Sequence, residues 1–256
     1  MAGRQQLFTT VAPVVDVGTD GEPDQLGRPV WQGREFAHIE TGSPVLYTRV
    51  SYVRFDRDIL FQLNYVMWFP QRPKEGTFDI LGGHIDGITW RVTLGPDGRP
   101  LMYDTMYNCG CYHMFFPVSK LRLKAMDEDV FDEAPLVPQF APQWNGNRLV
   151  LRIASKTHYL QRVSVAKTAK GLAYSLDDYD QLRSMQYDTD SRKSLFAWDG
   201  LIKGTERAER WILWPMGIPG PGAMRQWGRH ATAFVGKRHF DDIDLIERYF
   251  SLESQK

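Results

Sequence analysis

The sequence predicts a mainly β protein, a single-domain antiparallel β-sandwich with a few short helices. The chain has 256 residues and is rich in aromatic side chains, with 8 Trp, 11 Tyr and 14 Phe, which favour the half-buried surface of a sheet. Several segments alternate apolar and polar residues with the period of a strand. Gly, Pro and Asn clusters typical of turns separate these segments. One domain over residues 1–256 is expected, because all-β domains of this length commonly fold as one unit.

The core strands are predicted within residues 45–160. Residues 45–52, "VLYTRVSY", alternate cleanly, whereas residues 59–70, "ILFQLNYVMWFP", form a nearly continuous apolar run typical of a central strand that ends at Pro70. Residues 88–94, "ITWRVTL", and 101–107, "LMYDTMY", flank a Gly-Pro turn and predict a hairpin. Residues 148–155, "RLVLRIAS", predict a further strand.

The remaining segments are predicted to be connections, helices and one more strand. Residues 124–147 mix acidic residues with prolines and predict a long surface connection. Residues 175–185 begin with a Ser-x-x-Asp capping pattern and predict a short helix. Residues 211–217, "WILWPMG", predict a core strand, and residues 217–228 predict a flexible lid or a simple connector. The tail predicts a C-terminal amphipathic helix at about residues 240–252.

The composition excludes some partners. Lys and Arg number 31 and Asp and Glu number 31, with a pI near 7.0, so no surface field would gather a nucleic acid. No window approaches the roughly 18 apolar residues of a membrane span, and the first residues lack a signal-peptide core. We therefore expect a soluble, cytoplasmic protein, unless a leader has been removed. Nothing in the sequence indicates the oligomeric state.

The segment "NCGCYHMFF", residues 108–116, holds both cysteines of the chain and one of its six histidines. In an extended segment, alternation would place Cys109, Cys111 and His113 on the same face. One intervening residue is too few for a disulfide framework, because the ring would be small and strained. The cluster is therefore either a set of metal ligands or a packing feature.

Other candidate ligands are predicted near this cluster. His84 and Asp86 precede one hairpin strand, and the Cys-His segment follows its partner, so pairing brings them together. His158 follows the strand predicted at residues 148–155. If that strand belongs to the same sheet as the hairpin, His158 lies at the same end of the sheet as His84 and His113. Imidazoles and thiolates favour a divalent metal such as zinc, with manganese, iron or copper as alternatives. The predicted metal ligands are His84, His113, His158, Cys109 and Cys111, and the predicted catalytic residues are Asp86 and His158.

Two functional hypotheses follow from these residues. The first is a metal-dependent hydrolase in which a metal-activated water is the nucleophile and Asp86 is a ligand or a general base. The sequence lacks the G-x-S-x-G and H-E-x-x-H motifs of serine hydrolases and classical zinc proteases. The second is a non-catalytic module that binds a glycan, a lipid headgroup or a partner, with at most a structural cation. Each histidine can also be a satisfied structural residue.

The order of these motifs resembles two related β-sandwich families, the vacuolar protein-sorting-like family and the necrosis-inducing protein family. "LNYVMWFP" stands where the first family has an aromatic strand, "GGHIDGITW" where both have a His-Asp-Trp motif, and "SKTHY" where the first has a Ser-His motif. The resemblance spans residues 12–159 loosely. It implies a β-sandwich with His84, Asp86, His113 and His158 at one rim, and no particular reaction. Arg91 occupies the position of a glutamate that the necrosis-inducing group associates with a divalent cation.

Overall fold

The structure is a computed structural model that describes residues 2–125, 134–166, 171–230 and 238–253. Strands account for most of its regular structure, which confirms the predicted fold class. In chain order the strands are β1 (Val14–Val17), β2 (Arg28–Val30), β3 (His38–Glu40), β4 (Val45–Phe55), β5 (Asp58–Arg72), β6 (Gly83–Leu94), β7 (Pro100–Tyr107), β8 (Met114–Pro117), β9 (Leu121–Leu123), β10 (Leu149–Ile153), β11 (Leu160–Val165), β12 (Ser175–Asp178), β13 (Met185–Gln186), β14 (Arg192–Lys193) and β15 (Phe250–Leu252).

The helices are short, and residues of α1 and α3 contribute to the core between the sheets. The α-helices are α1 (Ala2–Val11), α2 (Arg210–Leu213) and α3 (Leu245–Tyr249). The 3₁₀ helices are Glu22–Asp24, Tyr179–Arg183 and Trp214–Met216. Within the described ranges, no helix combines the length and the hydropathy needed to cross a membrane.

Two sheets form the body of the protein. The larger sheet has the strand order β12-β4-β5-β6-β7-β8, and the smaller has the order β1-β10-β11. Most neighbouring strands run antiparallel, but β12 pairs with β4, and β1 with β10, in parallel. Apolar side chains from both sheets, such as Leu63 and Trp90 of the larger and Leu151 and Val163 of the smaller, share one buried core. The two sheets therefore form a sandwich.

The continuous apolar run in β5 is explained by burial on both faces of the larger sheet. Tyr65 and Met67 enter the core between the two sheets, whereas Val66 and Trp68 enter a second core on the opposite face. Loop residues, including Trp31, cover that second core. A strand covered on both sides needs apolar residues at successive positions, so the prediction of a central strand here is confirmed.

The hairpin of β6 and β7 is also confirmed, and it positions the Cys-His segment. Gly98 has a φ of 71° in the turn, where its amide donates to the Gly95 carbonyl over 2.9 Å, and a left-handed conformation there favours glycine. In the register of the two strands, Ile88 lies opposite Tyr107. The next residue, Asn108, donates its amide to the Gly87 carbonyl over 2.9 Å. The Cys-His segment therefore begins beside Asp86.

The predicted C-terminal helix is present but is shorter than residues 240–252. Only Leu245–Tyr249 is helical, and Phe250–Leu252 pairs antiparallel with β9. Phe240, Ile246, Tyr249 and Phe250 of the predicted apolar face are buried, but Ile243 is 58% exposed, so the pattern marked most of the packed side chains. The backbone nevertheless leaves the helix, because the exposed edge of β9 offers hydrogen bonds to an extended chain.

Two further segment predictions are corrected. Residues 175–185 were predicted to be a helix, but they form β12 and then a 3₁₀ helix, because the first four residues pair in parallel with β4. Residues 211–217 form no core strand: Trp211 and Trp214 are 70% and 72% exposed in α2 and the following 3₁₀ turn. Pro215 cannot donate to a ladder, which disfavours a strand there.

The predicted connection at residues 124–147 is described only in part, because residues 126–133 lie outside the described ranges. Residues 134–147 contain no helix or extended strand, apart from a single bridge between Leu136 and Met114. This described part agrees with the prediction of a surface connection.

Candidate functional site

His158 is held in a buried cluster between the two sheets. Its Nδ1 lies 2.7 Å from Oδ2 of Asp86, and its ring stacks on Phe69 with 4.0 Å between centroids. Its Nε2 lies 3.5 Å from Oδ1 of Asp24, a carboxylate that also accepts the amide of Lys156 over 2.5 Å. We call Asp24, Asp86 and His158 the His158 cluster. It joins the loop after β10 to the larger sheet and fills the space between them.

A second buried cluster contains His113. Arg91 donates from Nε and Nη2 to the two carboxylate oxygens of Asp104 over 2.9 and 2.6 Å. His113 Nε2 lies 2.7 Å from Oδ2 of the same carboxylate, and Arg91 Nη1 donates to the Phe240 carbonyl over 2.6 Å. We call Arg91, Asp104 and His113 the Arg91 cluster. Arg91 therefore pairs with an aspartate across the β6–β7 ladder.

Burial decides the protonation state of the Arg91 cluster. Desolvation lowers the pKa of His113 to about 4 and outweighs the opposing effect of Asp104. Burial alone would raise the pKa of Asp104, but Arg91 and His113 hold it below its ordinary value. At neutral pH the cluster is therefore an arginine–aspartate ion pair, with a neutral imidazole that donates its Nε2 proton to the carboxylate.

The three predicted imidazole ligands lie in three separate environments. His84 Nε2 is 2.6 Å from the Ala37 carbonyl, whereas His113 contacts Asp104 and His158 contacts Asp86. Over the described ranges, no three side chains of His, Cys, Asp or Glu come close enough together to hold a metal ion. The structure brings together Asp86 and His158, the predicted catalytic pair, but it does not join them to the other two imidazoles.

A cavity of about 300 Å³ lies beside the β6–β7 hairpin. We call it the hairpin pocket; its walls include Arg72, Cys109, Cys111, Tyr112, Glu209 and Met224. Apolar residues such as Leu81, Leu213 and Ile218 form the opposite wall. Asp86 and His113 also reach this cavity, whereas His84 and His158 do not line it. Residues 217–228, predicted to be a lid or a connector, contribute part of the wall.

A tight turn brings the two cysteines to the pocket. The Gly110 amide donates to the Tyr107 carbonyl over 2.7 Å, and the Tyr107 amide donates to the Cys111 carbonyl over 3.0 Å. Gly110 has a φ of 100°, which a glycine adopts without strain. The two cysteines therefore share one site through a turn rather than through the extended segment predicted above. Both are free thiols.

The two thiols influence each other directly. The hydrogen bond from Cys111 lowers the pKa of Cys109, despite the opposing effect of burial. The same contact, together with burial, raises the pKa of Cys111. Cys109 is therefore the thiol of the pair that loses its proton more readily.

Glu209 and Arg72 bring opposite charges into the hairpin pocket. Glu209 is 8% exposed, and burial raises its pKa against the opposing effects of Arg207 and Arg72. Neither the Glu209 carboxylate nor the Arg72 guanidinium has a hydrogen bond or ion pair within the described part of the chain. Arg207, by contrast, is fixed by the carbonyls of His84 and Ile85 over 2.9 and 2.6 Å.

Sequence reasoning missed both Glu209 and Arg72. Arg72 is the last residue of a strand that the sequence predicted to end at Pro70. Glu209 lies in "GTERAERW", where no motif distinguishes it from neighbouring charged residues. Their significance lies in the burial of Glu209, in the half-buried position of Arg72 at the cavity wall and in the absence of a described hydrogen-bond partner for either, and these are properties of the fold.

The fold and the pocket together define a β-sandwich protein with a partly charged ligand-sized cavity at the end of a hairpin. No family model matches the chain, and no curated protein matches it. A solved structure described as a "toxin fold for microbial attack and plant defense" is similar, with 11% identity and a TM-score of 0.39, and the match covers 72% of this chain and 82% of that one.

Two further similar structures are complexes of NLPPya, a necrosis-inducing-like protein. The complex with mannosamine is 13% identical and the complex with glucosamine 12% identical; each has a TM-score of 0.39 and covers 72% of this chain and 81% of that chain. The resemblance to necrosis-inducing proteins suggested by the motif order is thus also found between structures.

Proposed function

We propose that this chain is a non-catalytic binding protein that takes a sugar unit, preferably an amino sugar, in the hairpin pocket. The observation that carries the proposal is the Glu209 carboxylate, which is buried in the pocket wall without a described partner. An unpaired buried carboxylate is costly, and a ligand that donates hydrogen bonds or carries a positive charge removes that cost. An ammonium group beside several hydroxyls satisfies both requirements.

The remaining walls suit a sugar ring. Tyr112 is 50% exposed at the pocket, and contacts with Tyr107 and Tyr159, at centroid distances of 5.5 and 6.0 Å, support its ring. A supported aromatic face can cover the apolar C–H face of a sugar, while Arg72 donates hydrogen bonds to its hydroxyls. A mostly apolar cavity with a few well-placed polar groups is typical of small-ligand sites.

The contacts of Asp86 favour binding over hydrolysis. Asp86 holds His158 over 2.7 Å and lies 3.7 Å from the Arg207 guanidinium. The first contact commits Oδ2 to His158, and the second places a fixed cation beside Oδ1 at a distance too long for a hydrogen bond, whereas a general base needs an oxygen aimed at the reacting group. The hydrolase hypothesis therefore has less support than the binding hypothesis.

Titration of the chain with glucosamine, N-acetylglucosamine and glucose, followed by calorimetry and by NMR, tests this proposal. We expect glucosamine to bind more tightly than the two neutral sugars, because only glucosamine presents an ammonium group to Glu209. In Glu209→Gln the preference for glucosamine over glucose should fall about tenfold or more, since hydrogen bonds to charged groups contribute about 1.5–3 kcal/mol.

Glu206→Gln is the matched control, because Glu206 is exposed and lies three residues earlier on the same segment. It should leave the preference unchanged. The proposal is overturned if none of the three sugars binds, or if Glu209→Gln keeps the full preference for glucosamine.

A further inference from the structure

The hairpin pocket contains an unusual concentration of sulfur. Cys109 and Cys111 line one part of it, and the thioethers of Met216 and Met224 line another. Met224 belongs to the same buried cluster as Cys109, and Cys111 packs against that cluster. Sulfur ligands are soft donors and select soft metal ions.

The two thiols are already arranged as a pair. The turn centred on Gly110 brings both thiols to the wall of the same cavity, where each affects the other, so a small ion between them would need little reorganisation of the backbone. Cys109 is buried, whereas Cys111 is half-buried at the cavity wall. An ion can therefore reach the pair from the cavity.

Fixed positive charges lie close enough to stabilise a pair of thiolates. The guanidinium groups of Arg207 and Arg225 both interact electrostatically with Cys109. Arg225 is anchored beside the turn, because its amide donates to the Asn108 carbonyl over 2.9 Å and its Nη2 donates to the Gly220 carbonyl over 2.6 Å. A complex of two thiolates and one monovalent cation carries one net negative charge, which these arginines offset against the opposing effect of the Asp86 and Glu209 carboxylates.

The donor count disfavours zinc, the metal expected from the sequence. A structural zinc site takes four ligands, and a catalytic site takes three and a water. Over the described ranges, no third His, Cys, Asp or Glu joins the two thiols in a metal-sized group. His113, which also lines the cavity, is held by Asp104 over 2.7 Å. Copper(I) differs from zinc because it accepts few ligands and prefers thiolate and thioether sulfur.

We propose that Cys109 and Cys111 bind one copper(I) ion, with the Met224 thioether as a third and weaker ligand. On binding, both thiols release their protons to solvent and two copper–sulfur bonds form, with no change in oxidation state. The inference is independent of the proposed sugar site, because it involves the sulfur atoms of the cavity and not the Glu209 carboxylate.

An anaerobic titration with copper(I), buffered by bicinchoninate in the presence of ascorbate, tests the proposal. The wild-type chain should withdraw one copper ion per molecule and develop a near-ultraviolet sulfur-to-copper absorption band. The double variant Cys109→Ser with Cys111→Ser should lose both signals. Met224→Leu should weaken binding by about tenfold, the lower end of the range for supporting residues at metal sites. Met102→Leu, at a buried methionine of the other core, is the matched control and should change nothing.

X-ray absorption of the copper-loaded wild-type chain provides a readout that needs no variant to fold. A first shell made only of sulfur supports the assignment. The proposal is overturned if nitrogen or oxygen dominates that shell, if the double serine variant binds copper(I) as tightly as wild type, or if the chain takes up zinc but not copper(I). Because Glu209→Gln should still bind copper(I), loss of sugar binding and loss of copper binding can be distinguished.

Discussion

The Arg91 cluster and the hairpin pocket lie at the same hairpin, but they differ in whether the buried carboxylate has hydrogen-bond partners in the protein. In the Arg91 cluster, Asp104 accepts two hydrogen bonds from Arg91 and one from His113. In the pocket, the Glu209 carboxylate has no such contact within the described residues. Buried charges that satisfy each other stabilise the fold, whereas a buried charge with no protein partner is available to a ligand. The presence or absence of a hydrogen-bond partner for a buried charge therefore distinguishes structural residues from candidate binding residues.

The largest expected effect is on the satisfied cluster. Asp104→Ala would leave the Arg91 guanidinium buried without its carboxylate, and breaking a buried ion pair costs about 3–5 kcal/mol. Urea unfolding should show a loss of this size in the free energy of unfolding. Asp58→Ala, at an exposed aspartate, should change it little. A loss below about 1 kcal/mol for Asp104→Ala would mean that this ion pair contributes little to the fold.

A smaller loss in the free energy of unfolding is expected when the pH is lowered. Burial lowers the pKa of His113 to about 4 and the pKa of His230 to about 3, whereas both are near 6.5 in an unfolded chain. As the pH falls from about 6.5 towards 4, the unfolded chain therefore binds protons that the folded chain does not. The stability from these histidines is complete above pH 6.5 and declines below it, by up to about 1.4 kcal/mol per pH unit for each histidine.

Urea unfolding at a series of pH values measures this dependence. His230→Gln should reduce the slope by the contribution of one histidine, and His239→Gln, at an exposed position, should leave it unchanged. If the wild-type stability is flat between pH 6.5 and 4.5, neither buried imidazole stays neutral in the folded state.

The smallest effect on stability is expected at the pocket. Glu209→Gln removes a charge that burial disfavours and leaves no opposite charge stranded in an ion pair, so the free energy of unfolding should change by no more than about 0.5 kcal/mol. The same unfolding experiment applied to Asp104→Ala and Glu209→Gln compares the two regions directly. Similar large losses in both variants would show that Glu209 also supports the fold.

The sequence predicted the parts of the fold that depend on local pattern. The double burial of β5 and the turn at Gly98 are visible as an apolar run and a Gly-Pro cluster, and both were confirmed. The tail was confirmed only in part: Leu245–Tyr249 is helical, but Phe250–Leu252 forms a strand that pairs with the distant Leu121–Leu123. Pairing between remote segments overrides local helical periodicity, and one sequence does not reveal it.

The candidate site was predictable only where residues adjoin in the hairpin. Strand pairing predicted that His84 and Asp86 would lie near the Cys109–His113 segment; Asp86 lines the hairpin pocket with the two cysteines, whereas His84 does not. It did not reveal that His84 would bond to the Ala37 carbonyl, nor that Glu209 would arrive from a loop more than 100 residues away. Whether a residue of the pocket is a candidate for ligand binding depends on which hydrogen-bond partners the fold places beside it. Residue type alone does not specify those partners.

Gly222 shows how small a change could close the cavity. Its φ is 76°, and a Cβ atom added there would lie 2.0 Å from Oε1 of Glu209 and 2.8 Å from the side chain of Arg207. A single methyl group at this position would displace the carboxylate towards the space that a ligand would fill. The position of the Glu209 carboxylate at the hairpin pocket therefore depends on glycine at position 222, because every other amino acid would place a Cβ atom against it.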